Sequence, residues 1–142
     1  MTRPVQPDYS SAVVAYLRRQ PEILAFAPAA RVVLHIPDSA DMPENYIGVA
    51  AAGGRGQLGR SPYMHARVDV QVYGSTGYEA MRGARVVASI LTPPWGSSRI
   101  VEQGCVIAEV EPESGLLRLE TQQGWPFVFA SYGLTVLMEA VA

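Results

Sequence analysis

The sequence predicts an α+β fold: a mostly antiparallel sheet of about five strands, with two main helices packed on one of its faces. Three observations carry that expectation. From Tyr63 to Tyr73 the chain alternates, with Met64, Ala66, Val68, Val70 and Val72 on one side and His65, Arg67, Asp69, Gln71 and Tyr73 on the other. A period of two is the pattern of a strand with one buried and one wet face. Next, Ala80, Ala84, Val87 and Leu91 form an apolar helical stripe opposite Glu79, Arg82 and Arg85. Finally, Val128, Ala130, Tyr132, Leu134, Val136 and Met138 alternate with Phe127, Phe129, Ser131, Thr135 and Glu139. Connections of hairpin length between the strands suit antiparallel pairing.

The elements follow in the order helix, three strands, helix, two or three strands. Residues 1–7 contain two prolines and are expected to form a loose arm. Asp8 is placed to cap a helix with Tyr9, Val13, Tyr16 and Leu17 on one face and Arg18, Arg19 and Gln20 in solvent. Pro21 suits the first position of a short helical turn to Phe26, which Pro28 ends. Arg31 to Ile36 is expected as a strand, Asp38 to Asn45 as a polar loop, and Tyr46 to Ala52 as a second strand. A glycine-rich loop from Gly53 to Pro62 leads into the alternating strand. Gly74-Ser75-Thr76-Gly77 then breaks the pattern, and Thr76 with Glu79 has the spacing of a capping box. Thr92-Pro93-Pro94-Trp95-Gly96 stops the second helix. Arg99 to Val110 is a strand interrupted at Gln103-Gly104. A turn at Glu111–Gly115, a short strand Leu116–Glu120 and a loop Thr121–Pro126 precede the last strand.

A chain of 142 residues suits one domain, spanning 1–142. Its 49% hydrophobic and 17% charged content is that of a chain able to bury a core. The net charge of −2 gives no electrostatic footing for nucleic-acid binding. All 11 basic residues are arginine, a composition that fits a GC-rich genome and also favours bidentate contacts at interfaces. Cys105 is the single cysteine, which excludes an intramolecular disulfide, and its strand setting points to a buried inert thiol. The first residues lack the apolar core of a signal peptide, and no apolar run approaches the ~20 residues of a membrane span. The expectation is a soluble protein made in the cytoplasm, with no membrane partner.

The residues able to carry chemistry do not assemble a catalytic kit. Gly54-Arg55-Gly56-Gln57-Leu58-Gly59 matches GxGxxG by letter. The dinucleotide motif needs a helix directly after it to receive the pyrophosphate, and here Pro62 and a strand follow. A cationic hairpin loop carrying Arg55 and Arg60 is the better reading, long enough to suggest a contact surface. His35 and His65 sit on different strands without a positioned carboxylate pair, which makes a poor metal site. The serines at 10, 11, 61 and 75 lie at helix starts or turns, where hydroxyls cap backbone amides. Glu109, Glu111 and Glu113 are expected along a solvated strand edge. No enzyme activity, cofactor or metal is expected. Trp95, Trp125, Phe127 and Phe129 are left over as bulky groups, either covering a second small core or forming an interface.

Taken in order, these elements resemble the tail-terminator or tail-completion (tail-to-head joining) proteins of long-tailed bacteriophages and related particles. The resemblance runs through the leading helix to Gln20-Pro21-Glu22-Ile23-Leu24, the strand opening at Arg31-Val32, and the loop to Asp41-Met42-Pro43. It continues through Arg67-Val68-Asp69-Val70-Gln71-Val72-Tyr73 and the helix starting at Tyr78-Glu79-Ala80. The glycine-rich Gly53–Gly59 loop departs from that layout. The resemblance implies a non-enzymatic virion protein, synthesised in the host cytoplasm. It would form a homo-oligomeric ring, usually of six, on the last ring of the tail tube and stop tube growth there. Its partners would be itself, the tail tube protein and the head-side connector or stopper protein, with genome DNA passing through the lumen unbound. Other neck roles (stopper or head-completion protein) and a small-ligand-binding domain are the alternatives. The residues expected at intermolecular contacts are Arg55, Gln57, Leu58 and Arg60 in the loop, with Trp95, Trp125 and Phe127.

Overall fold

The computed structural model describes residues 3–37, 40–57, 59, 61–94, 96 and 98–141, with backbone alone for 3–5, 57 and 139–141. Ten strands and three α-helices are laid out along these residues. Strand β1 (Arg3–Val5) comes first, so the segment expected as a loose arm contains a paired strand. Helix α1 (Tyr9–Arg18) is capped as its sequence requires: the Asp8 carboxylate accepts from the Ser11 amide at 3.2 Å and from the Ser11 hydroxyl at 2.7 Å. Helix α2 (Pro21–Phe26) begins with proline at its first position, and a 3-10 turn (Ala29–Arg31) follows Pro28. Strands β2 (Val32–Val33), β3 (Tyr46–Ala51), β4 (Gly56–Gln57) and β5 (Tyr63–Tyr73) lead to helix α3 (Gly77–Leu91). Beyond it lie β6 (Ile100–Glu102), β7 (Cys105–Pro112), β8 (Leu117–Glu120), β9 (Pro126–Leu137) and β10 (Glu139–Val141).

The main sheet runs β2-β3-β5-β9-β7-β6, with β4 added beside β5 and β8 beside β9; β1 and β10 form a separate two-stranded ribbon. It is a mixed sheet, which corrects the expectation of a mostly antiparallel one of about five strands. Strands β2 and β3 pair in parallel, Val32 opposite Ile47 and Val33 opposite Gly48. The physical reason lies in the connection from Leu34 to Asn45. It is long enough to carry the chain back and re-enter in the same direction, where a hairpin would have reversed it. The expected strand over Arg31–Ile36 accordingly shrinks to two residues, because Leu34–Ile36 swings off the sheet. The element order also differs from expectation, since α2 is a true helix and β1, β4 and β10 add strands.

The two longest strands, β5 and β9, pair antiparallel over their whole length, from Tyr63 opposite Leu137 to Tyr73 opposite Phe127. Each is flanked by a broken partner. Strand β3 gives way to β4 along β5, and β7 gives way to β8 along β9. Two long hairpins result, turning ahead of Tyr63 and ahead of Pro126 at opposite ends of the sheet.

The inward residues of β5 and β9 are packed under the helices. Helix α3 contacts β5 and β9, while α1 contacts β2 and β3 at one edge and β6 and β7 at the other, so the sheet curls about the helical layer. Ala12, Val13 and Leu17 of α1 are fully buried as a result. Leu17 and Leu91 alone contribute roughly 2–3 kcal/mol each through apolar burial. Glu102 of β6, 7% exposed, pairs with Arg19 at 2.9 Å, which ties the end of α1 to that edge. Close packing of α2 on α3 depends on Gly83, where an added Cβ would run into the Phe26 ring.

A candidate interaction surface on the outer sheet face

The side of the sheet facing away from the helices carries the odd-numbered residues of β5 and β9. In register across the two strands lie Tyr73 and Phe127, Gln71 and Phe129, Asp69 and Ser131, Arg67 and Gly133, His65 and Thr135. Strand β8 adds Leu117 beside Phe129 and Leu119 beside Phe127, and β7 adds Glu109 beside Thr135 and Glu111 beside Gly133. The face is thereby divided along its length into an apolar end and a charged end.

At the apolar end, the Tyr73 and Phe127 rings stack with centroids 5.1 Å apart and planes 27° from parallel. Partial burial raises the Tyr73 hydroxyl above the ordinary tyrosine value. Leu117 and Leu119 remain 54% and 40% exposed on the edge strand beside these aromatics. An apolar strip of this kind on an edge strand is where sheet proteins meet partners.

At the charged end, the Ser131 hydroxyl donates to Asp69 at 2.6 Å, and Arg67 approaches the same carboxylate at 3.5 Å. His65 joins the two hairpins. Its Nδ1 accepts from the Arg55 amide at 3.3 Å, in the break between β3 and β4. Its Nε2 lies 3.2 Å from Glu113, in the break between β7 and β8. An Nδ1 that accepts must be unprotonated, so Nε2 carries the proton and donates to the carboxylate. Glu109 and Glu111 have no cationic partner among the described residues.

Two open clefts border this surface, each of about 570 Å³. One lies on the outer face, floored by Gly48, Asp69 and Tyr73 and walled by Leu34, Met42 and Trp125. The other lies between the start of α3 and the β8–β9 hairpin, beside Arg118. Neither assembles a nucleophile with a base. Among the described residues no group of three or more metal-binding side chains converges, and Cys105 is buried.

The GxGxxG stretch is spent on sheet geometry. Gly54 has φ +113°, and a Cβ there would fall 2.7 Å from the Ala66 backbone, so the chain can hug β5 only as glycine. His35 lines the outer cleft whereas His65 engages Glu113, so the two histidines have separate settings. At the start of α3, the Thr76 hydroxyl accepts from the Glu79 amide at 3.1 Å, but the Glu79 carboxylate turns to Arg82 at 2.7 Å. Only half of the capping box forms. Hydrogen bonds from Arg82, which contributes most, and from Asn45 hold the Glu79 carboxyl below the usual carboxylate range.

Of the residues expected at contacts, Arg55 is exposed in the break before β4, and Gln57 lies in β4 opposite Met64. Trp125 is half-buried on the rim of the outer cleft, and Phe127 is half-buried in the stacked pair. Leu58, Arg60 and Trp95 lie outside the described residues. Arg55 sits toward one end of the sheet and Trp125 with Phe127 at the other, so the structure does not gather them into one patch. Tyr73, Leu117 and Leu119 complete the apolar end and were missed. The period-two spacing of Leu117 and Leu119 in a four-residue strand was the available signal.

No protein family matches the sequence, and no curated protein does. Among solved structures, the fold is similar to that of a chain in the virion of a native gene transfer agent particle. The TM-score is 0.70 over 92% of this chain and 94% of that one, at 13% sequence identity. Similarity at that identity establishes a common fold.

Proposed function

We propose that this chain is a tail-terminator protein, one non-enzymatic domain acting as a structural part of a phage-like virion. It caps the last ring of the tail tube, stops polymerisation there and joins the tail to the head-side connector or stopper protein. The observation that carries this reading is the common fold with a virion chain over nearly the full length of both, added to the layout resemblance in the sequence. Copies form a closed ring, usually of six, which requires a head-to-tail contact between unlike surfaces. The outer sheet face, with its exposed leucines and stacked aromatics, is suited to such a contact.

DNA traverses the lumen without being gripped. A subunit of net charge −2, repeated around a ring, repels phosphate and lets the duplex slide. Deleting the coding sequence from its own genome tests the role. The expected outcome is tube of uncontrolled length that is not joined to heads, restored by supplying the gene in trans. Tails of normal length ending on filled heads would remove the terminator role; normal-length tails that fail to join heads would point to a stopper instead.

A further inference from the structure

The two broad faces of the molecule carry exposed charge of opposite sign, Glu109 and Glu111 on the sheet side and Arg85 on the helical side, where Arg82 is already paired with Glu79. On the outer sheet face, Glu109 and Glu111 are exposed neighbours on β7, and the apolar end with Leu117 and Phe129 follows. On the helical side, α3 buries Ala80, Ala84, Val87 and Leu91. At 100° per residue its opposite stripe is Tyr78, Arg82, Arg85 and Ser89. Tyr78 is 76% exposed, Arg85 is exposed, and Arg85 has no ion-pair partner among the described residues. Arg82 is shared with Glu79 and with the Phe26 ring, 5.4 Å from its guanidinium carbon.

We infer that the outer sheet face of one copy receives the α3 stripe of a second copy, with Arg85 and Arg82 against Glu109 and Glu111 and Tyr78 against the apolar end. Three features select a second copy as the occupant. The charges are complementary and sit on opposite faces of one subunit, the arrangement that propagates head to tail and forms a ring when its rotation closes. The spacing of the two charged pairs is similar: two residues along a strand cover about 6.8 Å, and side chains three apart on a helix are about 5–6 Å apart. The order also matches, since both stripes pass from a charged pair to an apolar or aromatic group. Arginine further suits the contact, because its planar fork binds carboxylates bidentately. This contact supplies the interface for the ring of the proposed function and rests on that reading only for closure.

Charge reversal tests the inference in the full chain. Sedimentation velocity at low salt should show wild-type protein assembling beyond the monomer. Arg85→Glu, and separately the pair Glu109→Arg and Glu111→Arg, should each weaken assembly by about tenfold or more. All three substitutions combined should regain part of the loss, because Arg85→Glu then meets an arginine while Arg82 stays opposed, and no loss of folding would produce that gain. A wild type that stays monomeric at every concentration overturns the contact, as does assembly unmoved by the reversals or not regained in the combined variant. Assembly that follows the charge pattern without capping tail tube would sink the terminator role and leave this interface standing. Tube capping that ignores the reversals would do the opposite.

Discussion

His65 on β5 and Glu113 in the break between β7 and β8 meet at 3.2 Å across the outer sheet face, joining two hairpins whose tips point to opposite ends of the molecule. The imidazole is held on its other side by the Arg55 amide, so the ring is clamped from both sides. Replacing His65 by alanine should cost about 1–3 kcal/mol, because it removes two hydrogen bonds, one of them to a carboxylate, in a partly exposed setting. Glu113→Gln in the His65→Ala background should add little, because the partner is already gone. Urea melts of the four proteins in that cycle measure the coupling; additive losses would mean that the pair does not join the hairpins.

Gly83 sets the distance between α2 and α3. Alanine in a helix interior ordinarily stabilises by about 1 kcal/mol relative to glycine. Here the new methyl would enter the Phe26 ring, and overpacking of that kind costs about 1–3 kcal/mol. Gly83→Ala is therefore expected to be destabilised in denaturant, and Phe26→Leu in the same chain to recover part of the loss. A Gly83→Ala protein more stable than wild type would contradict the packing.

Tyr132 lies 2% exposed among the inward residues of β9, and burial pushes its hydroxyl up to about 12. A group whose folded value is raised contributes stability that is whole below its unfolded value, about 10 for tyrosine, and lost as pH climbs toward the folded one. The loss across that window is about 2–3 kcal/mol. Tyr132→Phe should flatten the fall in thermal stability between about pH 10 and 12. An unchanged alkaline slope in Tyr132→Phe would show that other groups set it.

Arg55 is exposed in the break before β4, and Arg60, five residues on in the sequence, lies outside the described residues. Alanine at both positions should leave the melting temperature within the range of surface substitutions, about ±0.5 kcal/mol, while impairing assembly on the tube. Normal rings and normal tail joining in the double variant would remove this loop from the contact set.

The parts of this fold written in local pattern were legible in the sequence. The strand Tyr63–Tyr73 and the α3 stripe follow from periodicity, and Asp8 and Thr76 cap as their chemistry demands. What is set by pairing between distant segments was not legible. The parallel placement of β2 depends on where the Leu34–Asn45 connection returns, and no residue within that connection declares it. Strands β4 and β8 are short extensions fixed by the long neighbours they lie against. The same limit applies to the surface. Phe127 was visible as a bulky residue on a second face, but its partners Tyr73, Leu117 and Leu119 join it only through register. His65 reads as a poor metal ligand and Glu113 as part of a solvated edge, 48 residues away, until the two hairpins bring them together.

Whether this chain ends a tail tube is decided by electron microscopy of the purified protein mixed with polymerised tube from the same genome. Rings seated on one end of each tube, with elongation halted when more tube subunit is added, are the expected result. Protein left unbound while tubes continue to grow would contradict it.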